Sequence, residues 1–385
     1  MIIIGDSLYI DIKIDGQKLP VGANLISGIT LCEGNGALIP SFEIVAADIS
    51  NVLIGDQAIT DGNVFEITVG QMKGSKVYKR EYRLYGQNKR NLANGPQNNL
   101  VGVLNVPKFY AKSNRKAYKG LSSSALSEIA GECGLKFVGP DKSTDDQQDV
   151  WLNVCSTRAN CMNEIARYGY IDENSVMSAA VTSLKELRYK NITDIFQKDS
   201  EIKFVHNVLP ESGGTQYRVV EAKDTSHSST SNNWMNYGAI RREHRLDAKH
   251  KSHKDMKVKT KSPFLSINSD VSDEIEKQAR IDYMPIDCGN HHTNYWKALY
   301  QNQRGLAMLS ERVSVLIDVV SDVQLYDLVV YRQADADVSK PVDATDYYIV
   351  YGKTIFVKGG TYYAERIELA NWSATLKGSA NLAGG

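Results

Sequence analysis

The sequence predicts an α+β fold dominated by β-strands, with two similar β-modules and a helical region between them. Alternating apolar and polar residues, the period of half-buried strands, concentrate towards both ends of the chain. A short phrase occurs twice: an apolar run at 64–69 precedes Tyr-Arg-Leu-Tyr-Gly at 82–86, and one at 328–331 precedes Tyr-Ile-Val-Tyr-Gly at 348–352. Between these regions the period changes to that of amphipathic helices.

The first strands are predicted at residues 7–15, 41–46 and 64–69, with Asp15-Gly16 and Asp61-Gly62 as turns between them. The repeated phrase has the form of a β-hairpin in both places, because a polar spacer separates an apolar run from a second run that ends in Tyr-Gly. The two phrases therefore predict equivalent hairpins. The phrase is short and the chain has 21 tyrosines, so recurrence by chance is the alternative.

Two helices are predicted in the middle of the chain. The triplet at 122–124, three serines, can cap the first, and Gly134 stands where a C-terminal cap belongs. The second follows Ser156-Thr157 with the same apolar spacing. The two stripes are Ala125, Leu126, Ile129, Ala130 and Cys133, then Cys161, Met162, Ile165, Ala166 and Gly169. The charged run 141–149 between the helices, with Asp145 and Asp146, predicts a solvated loop.

The later chain is less regular before it returns to strands. Residues 223–262 are polar and predict irregular structure, 272–280 and 295–309 have helical patterns, and 313–369 predict strands. The sequence therefore divides into a first β-domain (1–112), a helical element with an α/β region (113–222), a charged loop with a helical segment (223–310), a second β-domain (311–376) and a flexible tail (377–385).

Composition excludes several classes of protein. The 45 basic and 45 acidic residues give no net charge, so no global field favours nucleic acid or membrane. No apolar run approaches the ~18 residues of a membrane span, and the N-terminus lacks a signal peptide, which predicts cytoplasmic assembly without membrane insertion. Five scattered cysteines without a Cys-x-x-Cys pair predict reduced thiols in the core.

No catalytic or phosphate-binding motif is present. His250 and His253 lie among lysines, whose charge disfavours a divalent cation. His291 and His292 could chelate together with Asp287 and Cys288, but a surface loop is the simpler interpretation. The sequence predicts no catalytic residue, no metal ion and no cofactor.

One segment departs from neutrality. Residues 241–261 hold nine Lys or Arg against three Asp or Glu. Three interpretations stay open: a solvated loop or strand edge, a contact with an acidic neighbouring protein, or an arm that contacts phosphates. The residues concerned are Arg241, Arg242, Arg245, Lys249, Lys251 and Lys254.

In this order, these pieces resemble the central hub protein of contractile phage tails. That family includes the late control protein D group and the hub part of type VI secretion spike proteins. Residues 118–136 are similar to its small helical element, 155–170 to the helix that opens its α/β part, and 347–353 with 362–369 to its closing hairpin. The family usually has aromatic or leucine residues where Cys161 and Met162 stand here.

The resemblance implies a structural, non-enzymatic protein of the virion tail or baseplate. It implies a homotrimer whose two β-barrel domains per chain form a quasi-sixfold ring, adapting the sixfold tail tube to the threefold central spike. The expected partners are a second and third copy, the tube protein and the spike protein, with DNA passing through the ring. Tyr82, Tyr85, Tyr348 and Tyr351 are interface candidates, since alternation does not decide whether they face the core or a neighbour.

Three alternatives remain. A distal tail-tip protein of a non-contractile phage would share the same broad origin and differ in its partners. A cell-wall-binding or hydrolytic protein is suggested by the helical element at 118–136. A nucleic-acid-binding protein would depend on the basic residues 241–261, against the neutral charge of the chain.

Overall fold

The computed structural model describes fifteen ranges of the chain: 8–19, 26–36, 38–47, 59–71, 77–92, 95–112, 116–153, 157–206, 215–225, 240–247, 252–259, 279–287, 291–333, 346–359 and 362–372. Strands dominate these ranges. They are β1 Leu8–Ile14, β2 Gln17–Lys18, β3 Ile26–Gly34, β4 Ser41–Ala47, β5 Val64–Gln71, β6 Val77–Leu92, β7 Gly95–Leu104, β8 Lys116–Gly120, β9 Lys136–Val138, β10 Gln148–Asn153, β11 Met177–Val181, β12 Glu186–Asn191, β13 Ile202–His206, β14 Thr215–Asp224, β15 Ile240–Asp247, β16 Ser252–Lys259, β17 Ala279–Asp287, β18 Glu311–Ile317, β19 Leu328–Gln333, β20 Asp346–Lys358 and β21 Tyr362–Asn371.

The helices in the same ranges are short. They are α1 Pro107–Tyr110, α2 Ser122–Cys133, α3 Arg158–Tyr168, α4 Ile192–Ile195 and α5 Tyr295–Met308. None of these described helices has the length and apolar character needed to span a membrane. The α+β, β-dominated fold predicted from the sequence is confirmed.

Most strands belong to one thirteen-stranded sheet. Its second half is a closed six-stranded barrel in the order β13-β14-β18-β21-β20-β19, because β19 returns to pair with β13. Its first half runs β3-β4-β7-β6-β5-β1-β2. We call β3 to β7 with β1 module 1 and the barrel module 2. Module 2 takes β13 and β14 from the segment 113–222 that the sequence assigned to the α/β region.

Each module has its own apolar core. Phe42, Phe65 and Tyr82 pack together in module 1, with ring centroids of the first two 5.1 Å apart. Tyr348, Ile349 and Val350 lie in the core of module 2. The first core also includes residues of module 2, among them Tyr363 at the start of β21, so the modules share a packed boundary.

The α/β region has a third core, in which both predicted helices bury their apolar stripes. The two helices are therefore confirmed. Helix α2 begins at Ser122, so the serine triplet lies in its first turn, and Gly134 ends it in the left-handed conformation at φ 71°. Thr157 caps α3, accepting the Asn160 N–H at 3.2 Å. The pattern at 295–309 forms α5.

The prediction of a solvated loop at 141–149 is wrong for Asp146, which is fully buried. One of its oxygens accepts the Ser122 N–H at 2.9 Å, and the other accepts the Ser122 hydroxyl at 2.5 Å and the Tyr170 N–H at 2.8 Å. A carboxylate at a helix N-terminus satisfies free N–H groups and favours the helix dipole. Asp146 therefore fastens α2 to the end of α3.

The irregular structure predicted over 223–262 is wrong for β15 and β16, which pair antiparallel from Ile240↔Lys259 to Asp247↔Ser252. Strand β17 pairs parallel to β15 and completes a separate three-stranded sheet. The helix predicted over 272–280 lies mostly outside the described residues, and its last two residues begin β17. Strands without an apolar alternation are set by their partners, which local sequence does not reveal.

Candidate functional site

The two modules begin their repeated hairpins with the same turn. In module 1 the Thr60 N–H donates to Asn63 Oδ1 at 2.6 Å, and in module 2 the Gln324 N–H donates to Asp327 Oδ2 at 2.8 Å. The backbone bond returns in both, from Asn63 N–H to Thr60 O at 3.2 Å and from Asp327 N–H to Gln324 O at 3.1 Å. An Asn or Asp side chain at the last position thus closes each turn.

The third residue of each turn has positive φ, 95° at Gly62 and 67° at Tyr326. Glycine adopts this conformation without strain, whereas tyrosine needs compensation from its surroundings. The buried Tyr326 hydroxyl bonds Ser178 Oγ at 2.8 Å and also contacts Asn35 Oδ1. Tyr326 therefore connects the turn of module 2 to the α/β region and to module 1.

The hairpins that follow have the same register. Phe65 pairs with Tyr82 in module 1, and Val329 pairs with Tyr348 in module 2. Counting from the first tyrosine of each phrase, all four pairs between β19 and β20 have their counterparts between β5 and β6. The prediction of two equivalent hairpins is therefore confirmed in strand pairing.

Both phrases also carry a β-bulge at their second tyrosine. The register between β6 and β7 shifts between Leu84 and Gly86, and that between β20 and β21 shifts between Val350 and Gly352. The extra residue is Tyr85 in one module and Tyr351 in the other. A bulge bends and twists its strand, so both modules change direction at Tyr-Gly.

The equivalence extends to two more strands. Strand β4 pairs with β7 as β18 pairs with β21, and β3 pairs with β4 as β14 pairs with β18. A second irregularity matches, between Ile26 and Gly28 in β3 and between Val219 and Glu221 in β14. Five strands thus repeat in order, direction and register. The sixth differs: β1 is antiparallel to β5, whereas β13 is parallel to β19.

The modules join through a long strand. The second half of β20 pairs antiparallel with β3, from Gly352↔Gly34 to Lys358↔Gly28. A buried ion pair crosses from β20 to β21 beside this joint, with Lys353 Nζ 3.0 Å from Glu365 Oε2 and both side chains at most 3% exposed. The joint is a continuous sheet, so the modules are held by main-chain hydrogen bonds and not by a flexible linker.

The first tyrosine of each phrase faces a core. Tyr82 is fully buried, and its hydroxyl lies 2.9 Å from that of Tyr78. Tyr348 is 2% exposed and donates to Glu311 Oε1 at 2.8 Å. Burial raises the pKa of the Tyr82 phenol well above its usual value. These two candidates are part of the module cores.

The second tyrosine of each phrase is less buried than the first. Tyr85 is 59% exposed. Tyr351 is half-buried: it packs against the core of module 2, and the Arg312 guanidinium lies 3.6 Å from its ring centroid. Module 1 has Ser41 at the position of Arg312, and serine is too short to cover the ring. Of the four predicted interface tyrosines, Tyr85 has the most accessible surface.

The predicted basic residues divide between the strands of the separate sheet. Arg241, Arg242 and Arg245 lie on β15 and Lys254 lies on β16, while Lys249 and Lys251 lie outside the described residues. Arg245 and Lys254 are directly paired across the two strands.

A cleft of about 540 Å³ lies between α4 and the turn that precedes β19. Two ion pairs lie along it: Arg188 Nη1 lies 2.9 Å from Asp327 Oδ1, and Lys198 pairs with Asp141. Burial raises the pKa of the Asp327 carboxyl, against the effects of the Gln324 N–H and of Arg188. These contacts hold the turn of module 2 against the α/β region.

Within the described ranges, no group of three His, Cys, Asp or Glu side chains is placed to hold a metal ion. The thiols of Cys133 and Cys161 are buried in the α/β core, and burial raises their pKa to about 11 and about 12. Such thiols are inert, because the thiolate is the reactive form.

Sequence reasoning missed Asp146, the Lys353–Glu365 pair and the turn residues that precede each hairpin. Asp61-Gly62 signalled the first turn. Its counterpart, Leu325-Tyr326, contains no residue typical of turns. Only the last residue of the turn is similar, because Asp327 and Asn63 both have a side-chain oxygen that accepts a hydrogen bond.

No protein-family profile and no curated protein matches the sequence. Solved structures do match along almost the whole chain. A tail protein from Neisseria meningitidis MC58 has 10% identity and a TM-score of 0.57, covering 96% of this chain and 99% of that one. The 43 kDa tail protein of prophage MuSo2 from Shewanella oneidensis has 10% identity and a TM-score of 0.57, covering 94% and 98%.

A third match is a Francisella PdpA–VgrG complex, with 7% identity, a TM-score of 0.51, and coverage of 97% of this chain and 59% of that one. At such low identity these matches define the fold alone. The chain has the fold of phage tail proteins and of a VgrG protein, and the resemblance predicted from its sequence is confirmed at that level.

Proposed function

We propose that this chain is the structural hub of a phage tail or baseplate. Three copies form a homotrimer whose six modules make a quasi-sixfold ring, between a sixfold tail tube and a threefold central spike. The observation that carries this proposal is the matched register of the two modules, because two near-equivalent modules per chain let three chains present six similar faces. The fold shared with tail proteins over nearly their full length supports the same role.

The proposed role is non-catalytic and depends on surfaces. One face of the ring binds the tube protein, the other binds the spike protein, and DNA passes through the centre. The chain is then a virion component that assembles in the host cytoplasm without entering a membrane. Tyr85 and Tyr351 occupy the same bulge position of the two modules, and the exposed Tyr85 would be the stronger anchor for a neighbouring subunit.

Light scattering tests the assembly directly. The purified chain is measured alone and after co-expression with a candidate spike protein. We expect a mass of about 128 kDa for three chains of 42.7 kDa, with six lobes in electron-microscopy projections along the axis. A dimer, or a monomer in both preparations, would contradict the hub proposal.

A further inference from the structure

The hairpin of β11 and β12 belongs to the α/β region but contacts both modules. Its two strands pair antiparallel along the whole of β11, and β9 pairs with β12. In the turn between them the Thr182 N–H donates to Glu186 O at 2.9 Å, and the Lys185 N–H donates to Thr182 O at 3.0 Å. Main-chain hydrogen bonds therefore hold the hairpin and its turn together.

The turn of this hairpin lies against module 1. The Ser183 N–H donates to Glu33 Oε2 on β3 at 2.7 Å, and both residues are buried. The Ser183 hydroxyl oxygen accepts the Arg80 Nε–H of β6 at 2.9 Å. Lys185 Nζ lies 2.7 Å from Glu81 Oε2, which is also on β6. Three contacts thus attach the turn to two strands of module 1.

The strands of the same hairpin lie against the first turn of module 2. Arg188 on β12 donates from Nη1 to Leu325 O at 2.8 Å and to Asp327 Oδ1 at 2.9 Å. On β11 the Ser178 hydroxyl lies 2.8 Å from that of Tyr326. These contacts involve the last three residues of the turn that precedes β19.

The hairpin connects the modules close to the joint. Glu33 stands opposite Lys353 within the joint. The Tyr326 N–H donates to Val350 O at 2.8 Å, on the part of β20 that comes just before the joint. One hairpin is therefore bound to both modules, in addition to the main-chain ladder that joins them directly.

The turn of the hairpin contains a lysine where glycine would be relaxed. Lys185 has a φ of 59°, a conformation that glycine adopts without strain and that costs energy in other residues. Only a residue with a long basic side chain pairs with Glu81 from this position. A strained residue persists where its surroundings compensate for it. The contact with module 1 supplies such a compensation.

A second connection matters because a sheet alone does not fix an angle. The twist between neighbouring strands varies from about 10° to about 35°, so the ladder between β20 and β3 leaves a range of about 25°. Copies that associate head to tail close into a ring only if the rotation per step permits. An error in the angle between two modules would enter such a ring once for every chain.

We propose that the β11–β12 hairpin is a brace that fixes the angle between module 1 and module 2. The fixed angle lets three chains close into a ring. This consequence rests on the proposed trimer, whereas the brace itself is a property of the single chain. The inference gives the α/β region a function in assembly.

Distances between two spin labels measure the brace within one chain. Lys18 beside β1 and Lys223 on β14 are exposed, and both are replaced by a ketone-bearing amino acid that takes a spin label and leaves the cysteines unmodified. The labelled chain is diluted with unlabelled chain, and double electron–electron resonance gives the distance distribution. In Arg80→Ala/Lys185→Gly we expect this distribution to become about two-fold wider or more, because the ladder alone then limits the angle.

The matched control removes two cations whose ion pairs lie within the α/β region. In Lys136→Ala/Arg158→Ala the partners Glu186 and Glu132 lose their ion pairs, but no contact with a module is removed from the hairpin turn. The distribution should stay as narrow as in the wild-type chain. A distribution that stays equally narrow in Arg80→Ala/Lys185→Gly would overturn the brace and leave the hub proposal standing.

Light scattering on the same variants tests the consequence for assembly. We expect Arg80→Ala/Lys185→Gly to lose most of the trimer at a concentration where the wild-type chain and the control are trimeric. A wider distance distribution with an unchanged trimer would overturn the link between the brace and ring closure. A wild-type chain that never forms a trimer would contradict the hub proposal, while the distance distributions would still decide whether the hairpin is a brace.

The single variant Lys185→Gly separates the brace from a general loss of stability. Glycine relieves the strained φ but cannot pair with Glu81, so the midpoint of thermal unfolding should stay unchanged or rise. The distance distribution should nevertheless widen relative to the wild-type chain. A variant with an unchanged midpoint and an unchanged distribution would exclude the Lys185 contact from the brace.

Discussion

We predict that the buried Lys353–Glu365 ion pair stabilises the joint between the modules. Lys353 Nζ lies 3.0 Å from Glu365 Oε2 and donates to Ser321 O and Oγ at 3.1 and 3.0 Å. Both side chains are buried, and Lys353 lies on the part of β20 that pairs with β3. Replacing it by methionine keeps most of the volume and leaves the carboxylate without its counter-charge.

The geometry sets the expected magnitude. Breaking a buried ion pair by removing one partner costs about 3–5 kcal/mol. In Lys353→Met the Glu365 carboxylate keeps three donors, the Ser321 N–H at 2.9 Å and the hydroxyls of Ser321 and Tyr363. We therefore expect the lower end, about 3 kcal/mol. Adding Glu365→Gln removes the isolated charge, so the double variant should cost at least about 1 kcal/mol less than the sum of the two single changes.

Urea unfolding followed by tryptophan fluorescence measures these differences. The control is Lys136→Met: Lys136 pairs with Glu186 at 2.8 Å, but its side chain is 73% exposed. An exposed pair contributes at most about 1 kcal/mol. If Lys353→Met costs no more than Lys136→Met, or if the two single changes at the buried pair add without coupling, the account of this joint is refuted.

Three further predictions concern packing. Ile129→Asp should destabilise the fold by about 3 kcal/mol or more in urea unfolding, because it buries an unpaired charge in the α/β core; an unchanged midpoint would place Ile129 at the surface. Gly102→Ala should cost about 1–3 kcal/mol, because its new Cβ meets the Phe42 ring and the backbone of β6, whereas Gly131→Ala in α2 meets open space and should be neutral or stabilising. Cys161, with its pKa raised to about 12 by burial, should resist iodoacetamide at pH 8 until urea unfolds the chain, as read by mass spectrometry.

The sequence predicted correctly those elements whose formation depends on residues close together in the chain. Helices α2 and α3 follow from apolar spacing and from Gly134 and Thr157, which act within a few residues of the helix ends. The two hairpins follow from alternation and the Tyr-Gly phrase. The bulges within the phrase were not predicted, because a bulge depends on the partner strand that faces it.

Non-local contacts account for the errors. Asp146 belongs to a charged run that favours a solvated loop, and only the folded chain brings the Ser122 and Tyr170 N–H groups to its carboxylate. Strands β13 and β14 were assigned to the α/β region because the partners that place them in the barrel, β18 and β19, lie at least 87 residues further along the chain. Two of the predicted interface tyrosines belong to one phrase but differ in exposure, since Tyr82 is buried and Tyr85 is exposed.

The joint between the modules explains which of their strands match in register and which do not. Both strands that form the joint within the chain have a counterpart in register in the other module: β3 with β14, and β20 with β6. The strands that differ, β1 and β13, supply no edge to the joint. A shift of one residue in a joint strand would turn its side chains to the opposite face of the sheet, whereas a change of side chain leaves the ladder intact. The joint therefore constrains the register of its strands more strongly than their side chains. For this reason a repeat of five strands can be visible in the sequence only as a five-residue phrase that contains a bulge.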